Sequence, residues 1–110
     1  MNDITPENQE INRLKEEILK IKEELVLLGE EMRSGSLTRQ YRDPKNKKGG
    51  YWSLSYTYKM RGKTEFVRPE NLGKTRKQIA RYKKFKTLTA TWVDLSLQLC
   101  QLKNRRPGSS

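Results

Sequence analysis

The sequence predicts an α+β fold: a long N-terminal coiled-coil helix, a β-hairpin or small three-stranded antiparallel sheet, and a long C-terminal helix antiparallel to the first. Three observations predict it. Apolar residues recur at alternating spacings of three and four from Ile11 to Met32. Side-chain character alternates with period two from Tyr51 to Tyr58, and a second three-and-four pattern runs from Leu88 to Leu102. The first and third are helical periods and the second is a strand period.

The first helix starts near Thr5-Pro6, where Thr caps and Pro suits the first helical position. Ile11, Leu14, Ile18, Ile21, Leu25, Leu28 and Met32 then fall at the a and d positions of a heptad. Ile4 falls at a one heptad upstream. Position g carries Glu10, Glu17, Glu24 and Glu31, and position e carries Lys15 and Lys22. In a parallel pair of helices, Glu10 faces Lys15 of the partner and Glu17 faces Lys22. The expected oligomerisation residues are Ile11, Leu14, Ile18, Ile21, Leu25 and Leu28. A homodimer is the favoured assembly, and Ile18 at a with Ile21 at d leaves trimers open. Leu19, Val26 and Leu27 widen the apolar face beyond a bare zipper, which equally fits packing on the rest of the chain. Gly29 costs about 1 kcal/mol relative to Ala inside a helix. Ser34-Gly35-Ser36 is the expected end, making residues 1–34 the heptad helix.

Residues 35–86 read as a basic hairpin-plus-helix module. Asp43 to Gly50 mark a loop through Pro, Asn and two Gly. In the strand that follows, Trp52, Leu54, Tyr56 and Tyr58 share one face, and Tyr51, Ser53, Ser55 and Thr57 the other. Lys59 to Lys63 read as a hairpin turn in which Gly62 supplies a positive φ. Thr64 to Arg68 return, and Leu37 to Arg42 offer a weaker third strand. Burial against the helix is the favoured role for Trp52, Tyr56 and Tyr58, while Tyr51 is free to stack on unpaired bases.

Pro69-Glu70-Asn71 open the second helix, which is expected to reach about Lys103. Its first half is basic, with Ile79, Tyr82 and Phe85 as the side that packs on the hairpin. Residues 87–103 form its apolar half, through Leu88, Trp92, Leu95, Leu99 and Leu102, expected to lie along the first helix. Residues 104–110 are expected to be a disordered tail.

Charge is strongly segregated along the 110 residues, whose formal net charge is +11. Residues 1–34 carry −4, residues 35–86 carry +13 and residues 87–110 carry +2. This is the electrostatic footprint of a polyanion binder. The expected nucleic-acid-binding residues are Arg39, Arg42, Lys45, Lys47, Lys48, Lys59, Arg61, Lys63 and Arg68 from the loop and strands. Arg76, Lys77, Arg81, Lys83 and Lys84 join them from the helix. DNA is favoured over RNA as the partner. A protein-interaction adaptor, its heptad binding another protein, is the competing reading.

Catalysis is not expected. The chain has no histidine and one cysteine, so it lacks the commonest general base and any Cys–His pair or cysteine-rich zinc site. Between residues 35 and 86 the only carboxylates are Asp43, Glu65 and Glu70, too dispersed for a two-metal site. Gly-Lys-Thr at 62–64 and 73–75 lacks the upstream glycine of a phosphate loop. No cofactor, metal or small-molecule substrate is expected. No apolar run reaches membrane-span length, the first ten residues are too polar for a leader peptide, and the cytoplasm is the expected compartment.

At the level of fold alone, a strand–strand–helix unit with basic strands resembles the arm-binding domains of phage integrases and the plant-type AP2 domain. Four blocks within residues 29–102 carry a closer resemblance. They are Gly29 to Tyr41 (GEEMRSGSLTRQY), Tyr51 to Thr57 (YWSLSYT), Phe66 to Glu70 (FVRPE) and Arg76 to Phe85 (RKQIARYKKF). Their order resembles a family of small uncharacterised proteins met near mobile elements. The resemblance implies a mobile-element association and no mechanism. Many of those relatives carry a cysteine cluster after the position of Tyr41. Here that segment is Arg42-Asp43-Pro44, so no metal role carries over.

Overall fold

A computed structural model describes residues 5–105. Ile4 and residues 106–110 of the expected tail lie outside them. The elements follow as α1 (Pro6–Leu27), β1 (Ser36–Asp43), β2 (Lys48–Tyr58), β3 (Arg61–Val67), a 3-10 turn (Pro69–Asn71) and α2 (Leu72–Asn104). The chain divides into two compact units. A helical unit holds residues 1–29 and 85–110, and a sheet unit holds residues 30–84.

The helical unit follows from its caps and its apolar stripe. The Thr5 hydroxyl accepts the Asn8 amide at 3.1 Å, and Pro6 opens α1. Ile11, Leu14, Ile18 and Ile21 are buried, Leu14 completely, while Leu25 and Leu28 are half-buried. Followed forward along α1, the partners in α2 run backward. Glu10 borders a cleft with Gln98, Gln101, Leu102 and Arg105, and the Lys22 ammonium lies 5.3 Å from the centre of the Trp92 ring. The two helices of this unit are therefore antiparallel. Glu10 and Glu17 are both engaged by Arg13 on their own helix, Glu17 at 3.0 Å and Glu10 through a short hydrogen bond.

α1 stops at Leu27, seven residues short of the expected boundary at Ser34. Gly29 stands in the left-handed region at φ +84°, and the Leu28 amide is shared between the Glu24 and Leu25 carbonyls. A glycine just past the last turn is a helix terminator, because it adopts that conformation without the Cβ penalty. Met32 thus lies outside the heptad it continues in sequence.

The sheet unit has strand order β1-β2-β3, both pairs antiparallel. The third strand forms in full. Leu37 stands opposite Leu54, Arg39 opposite Trp52, and Trp52 opposite Val67, so these side chains share one face. Leu54, Val67 and Ile79 of α2 form the buried cluster on that face, with Leu37, Trp52, Tyr56 and Leu72 packed around it. Burying a side chain of that size contributes about 1.5–3 kcal/mol, so a cluster this small rests on few residues. Tyr58, expected in this core, is 55% exposed, because its position lies beyond the reach of the cluster at the hairpin tip. Thr75 is buried and donates its hydroxyl to the Asn71 carbonyl at 2.9 Å, tying the first turn of α2 to the 3-10 turn.

The β2–β3 hairpin corrects the sequence reading of its turn. Tyr58 pairs with Arg61, leaving a two-residue loop of Lys59 and Met60 at φ +51° and +66°. Two-residue hairpins favour type I′ and II′ turns, whose twist matches that of the strands, and positive φ at both central residues is the type I′ form. Gly62 is inside β3 opposite Thr57 and does not supply the positive φ. None of the described helices is long and apolar enough to cross a membrane.

Candidate nucleic-acid interface

The division into units sharpens the charge segregation. The sheet unit contains sixteen Lys/Arg against five Asp/Glu, a net +11, and the helical unit contains eight of each. The whole net charge of the chain therefore belongs to residues 30–84.

Each expected contact residue now has a place. Lys45, Lys47 and Lys48 sit at the β1–β2 turn, which Asp43 shapes by accepting the Asn46 side-chain amide at 2.9 Å. Lys59 sits at the β2–β3 turn. These turns lie at opposite ends of β2, about 30 Å apart at the usual rise of ~3.3 Å per residue. The two groups of lysines are not one patch. Arg39, Arg61 and Lys63 fall on the face shared with Trp52 and Leu54, and Arg42 and Arg68 fall outside that register. Arg76, Lys77, Arg81, Lys83 and Lys84 lie on α2.

The structure brings Arg39 and Arg76 together on Trp52. Their guanidinium carbons lie 5.6 and 5.1 Å from the centre of its ring, and Arg39 also lies 5.9 Å from that of Tyr41. Arg39 occupies the space left by a missing side chain. A Cβ on Gly50 would stand 2.6 Å from Arg39 Nη2, so a side chain at position 50 would displace the guanidinium from this place. Arg39, Arg42 and Gly50 border a cleft of about 250 Å³, together with Tyr51, Trp52 and Phe66. Among the described residues no carboxylate lies within salt-bridge distance of Arg39, Arg42, Arg61, Arg68 or Arg76. Guanidinium groups held on aromatic rings without a carboxylate keep their donors available for phosphate oxygens.

Arg81 stands apart. It is half-buried, and its Nη1 donates to the Glu31 carbonyl at 3.2 Å, next to an Arg33 amide bond to the Gln78 carbonyl. It fastens residues 31–33 to α2. Arg33, absent from the expected set, is also internal: it bonds Glu65 at 2.8 Å and lies over Tyr56, whose hydroxyl donates to the same carboxylate at 3.3 Å.

Sequence reasoning missed the Arg39–Trp52–Arg76 stack and the pairing of Tyr51 with Phe66, whose ring centroids are 6.1 Å apart. The GGYW run at 49–52 was the available signal, since two glycines beside two aromatics mark a strand that something approaches closely. Among the described residues no three His, Cys, Asp or Glu side chains gather where they would hold a metal ion. No protein-family model, no curated protein and no solved structure matches this chain.

Proposed function

We propose that this chain is a non-enzymatic nucleic-acid-binding accessory protein, with DNA as the favoured polymer and the sheet unit as its binding surface. One observation carries the reading. The entire +11 net charge falls on the sheet unit, where all the expected contact residues except half-buried Arg81 are exposed. Solubility alone does not require that concentration of one sign. A link to mobile elements belongs to this reading through the resemblance of residues 29–102.

Self-association belongs to it in a narrower form. Ile11, Leu14, Ile18 and Ile21 are already buried in the single chain. Pairing of two copies through α1 therefore falls to the apolar residues left at the surface, Leu19, Val26 and Leu27, which are 55%, 81% and 84% exposed.

A salt titration of binding to a labelled 20-base-pair duplex tests the function. With four phosphates engaged, the slope of log K against log salt is about −3.6, and affinity falls roughly a hundredfold from 50 to 200 mM salt. Arg76→Glu with Lys84→Glu should weaken binding far more than Lys15→Glu on α1. Salt-independent binding, or no detectable binding either to the duplex or to a single strand of equal phosphate number, refutes the reading. Sedimentation of the same protein reports self-association, and a strict monomer removes it.

A further inference from the structure

The two faces of the sheet differ in kind. One carries Leu37, Trp52, Leu54, Tyr56 and Val67 around the buried cluster. On the other, the register sets Thr38, Ser53 and Phe66 in one row and Ser36, Ser55 and Thr64 in the next. Tyr51 lies beside Gln40 on the same face. Thr38, Gln40, Ser55, Thr64 and Phe66 are all exposed. Ser53 alone is buried there, a small residue hemmed in by longer neighbours.

On this face of small polar residues stand two aromatic rings on adjacent strands. Tyr51 and Phe66 are 6.1 Å apart at an interplanar angle of 48°. Phe66 is 61% exposed, so most of its apolar surface contributes nothing to the buried cluster. Its neighbours are basic: Arg68 follows two residues on, and Arg42 borders the same cleft as both rings. That cleft is concave and holds about 250 Å³, below the ~300–1,000 Å³ that encloses drug-sized ligands. Elements that read a duplex groove enter it, whereas an exposed ring beside a shallow concave cleft meets the face of a base only once that base is unstacked.

We propose that Tyr51 and Phe66 form a stacking platform for unpaired bases of a single strand, with Arg42 and Arg68 taking the adjoining phosphates. This rests on the nucleic-acid reading above and specifies the form of the polymer. Every base offers a π-face, so the platform selects single-strandedness rather than sequence. A rigid sheet holds the two rings in place before binding, which lowers the ordering cost of engagement.

The test uses the full chain and three probes of equal phosphate number: oligo(dT), its abasic counterpart and a duplex. The wild-type chain should bind oligo(dT) about tenfold more tightly than the abasic strand. Phe66→Ala and Tyr51→Ala should each remove most of that preference while changing duplex and abasic affinities less than twofold. Far-UV circular dichroism and melting of each variant confirm the fold, and Phe66→Leu, which keeps apolar bulk without a ring, should behave as Phe66→Ala. Equal binding of oligo(dT) and the abasic strand by the wild type overturns the platform and leaves charge-driven binding intact. Parallel losses for all three probes overturn it as well, as does poly-glutamate of equal charge binding as tightly as oligo(dT). Failure of every probe to bind removes the nucleic-acid reading itself.

Discussion

Replacing Lys59-Met60 by Asn-Gly should stabilise the sheet unit, and the size of the gain follows from the backbone. Both residues sit in the left-handed region, at φ +51° and +66°. An L-residue with a Cβ is disfavoured there by about 1–2 kcal/mol. Glycine at position 60 removes that penalty but loses about 0.5–1 kcal/mol to the larger entropy of the unfolded chain. Asparagine at position 59 tolerates the conformation better than lysine through its short polar side chain. Met60 is 97% exposed, so its removal forfeits no packing. The net expectation is a gain of roughly 1 kcal/mol, or about 4–8 °C in melting temperature for a unit of this size. Gly62→Ala is the matched control. It is a strand residue with nothing within 4 Å of an added Cβ, so its melting temperature should hold or rise slightly. Thermal melts followed by circular dichroism read both. A destabilised Gly62→Ala, or no gain from Asn-Gly, would refute the two-residue turn and return the positive φ to Gly62.

Two further expectations concern stability. Leu54→Ala should cost about 2–5 kcal/mol, since Leu54 is completely buried and its cluster has few other members. Denaturant titration should show that loss in full and only a small loss for exposed Phe66→Ala; comparable losses would mean that Phe66 is core. The second is pH dependence in α1. The hydrogen bond from Arg13 holds the Glu10 carboxyl below its ordinary range. Its stabilisation is therefore present above the ordinary carboxylate pKa and is lost as pH falls through the lowered value. Glu10→Gln should flatten that part of the acid dependence of helicity, and an unchanged profile would count against the pair.

α1, β2 and the second half of α2 were legible in the sequence because each carries its own local period, whereas β1 offered only a weak strand signal. The α1 stripe predicted the buried residues from Ile11 to Ile21, and alternation from Tyr51 to Tyr58 predicted β2 and its faces. The misreadings arose where a local signal had two meanings. Gly29 reads as a costly interior residue or as a terminator, and only the departure of the chain after Leu28 decides. Lys59-Met60 lacks the Asn-Gly signature of its turn type, so Gly62 drew the assignment. The Arg39–Trp52–Arg76 stack and the Tyr51–Phe66 pair were not legible. They depend on register between residues 13 to 24 positions apart, which no single window contains.

The strand order leaves β1 and β3 as the two borders of the sheet, each with a row of backbone groups that no described strand pairs. Such borders are templates for aggregation, and charged side chains are a common guard against it. Here Arg39 and Arg42 stand on β1, and Arg61 and Lys63 on β3. A polyanion that neutralises them removes the guard with the charge. Colloidal stability should therefore be poorest at intermediate loading, where strands are discharged but not yet shielded by bound polymer. On the proposed function, excess nucleic acid and not a scarcity of it is the condition that should keep such complexes in solution.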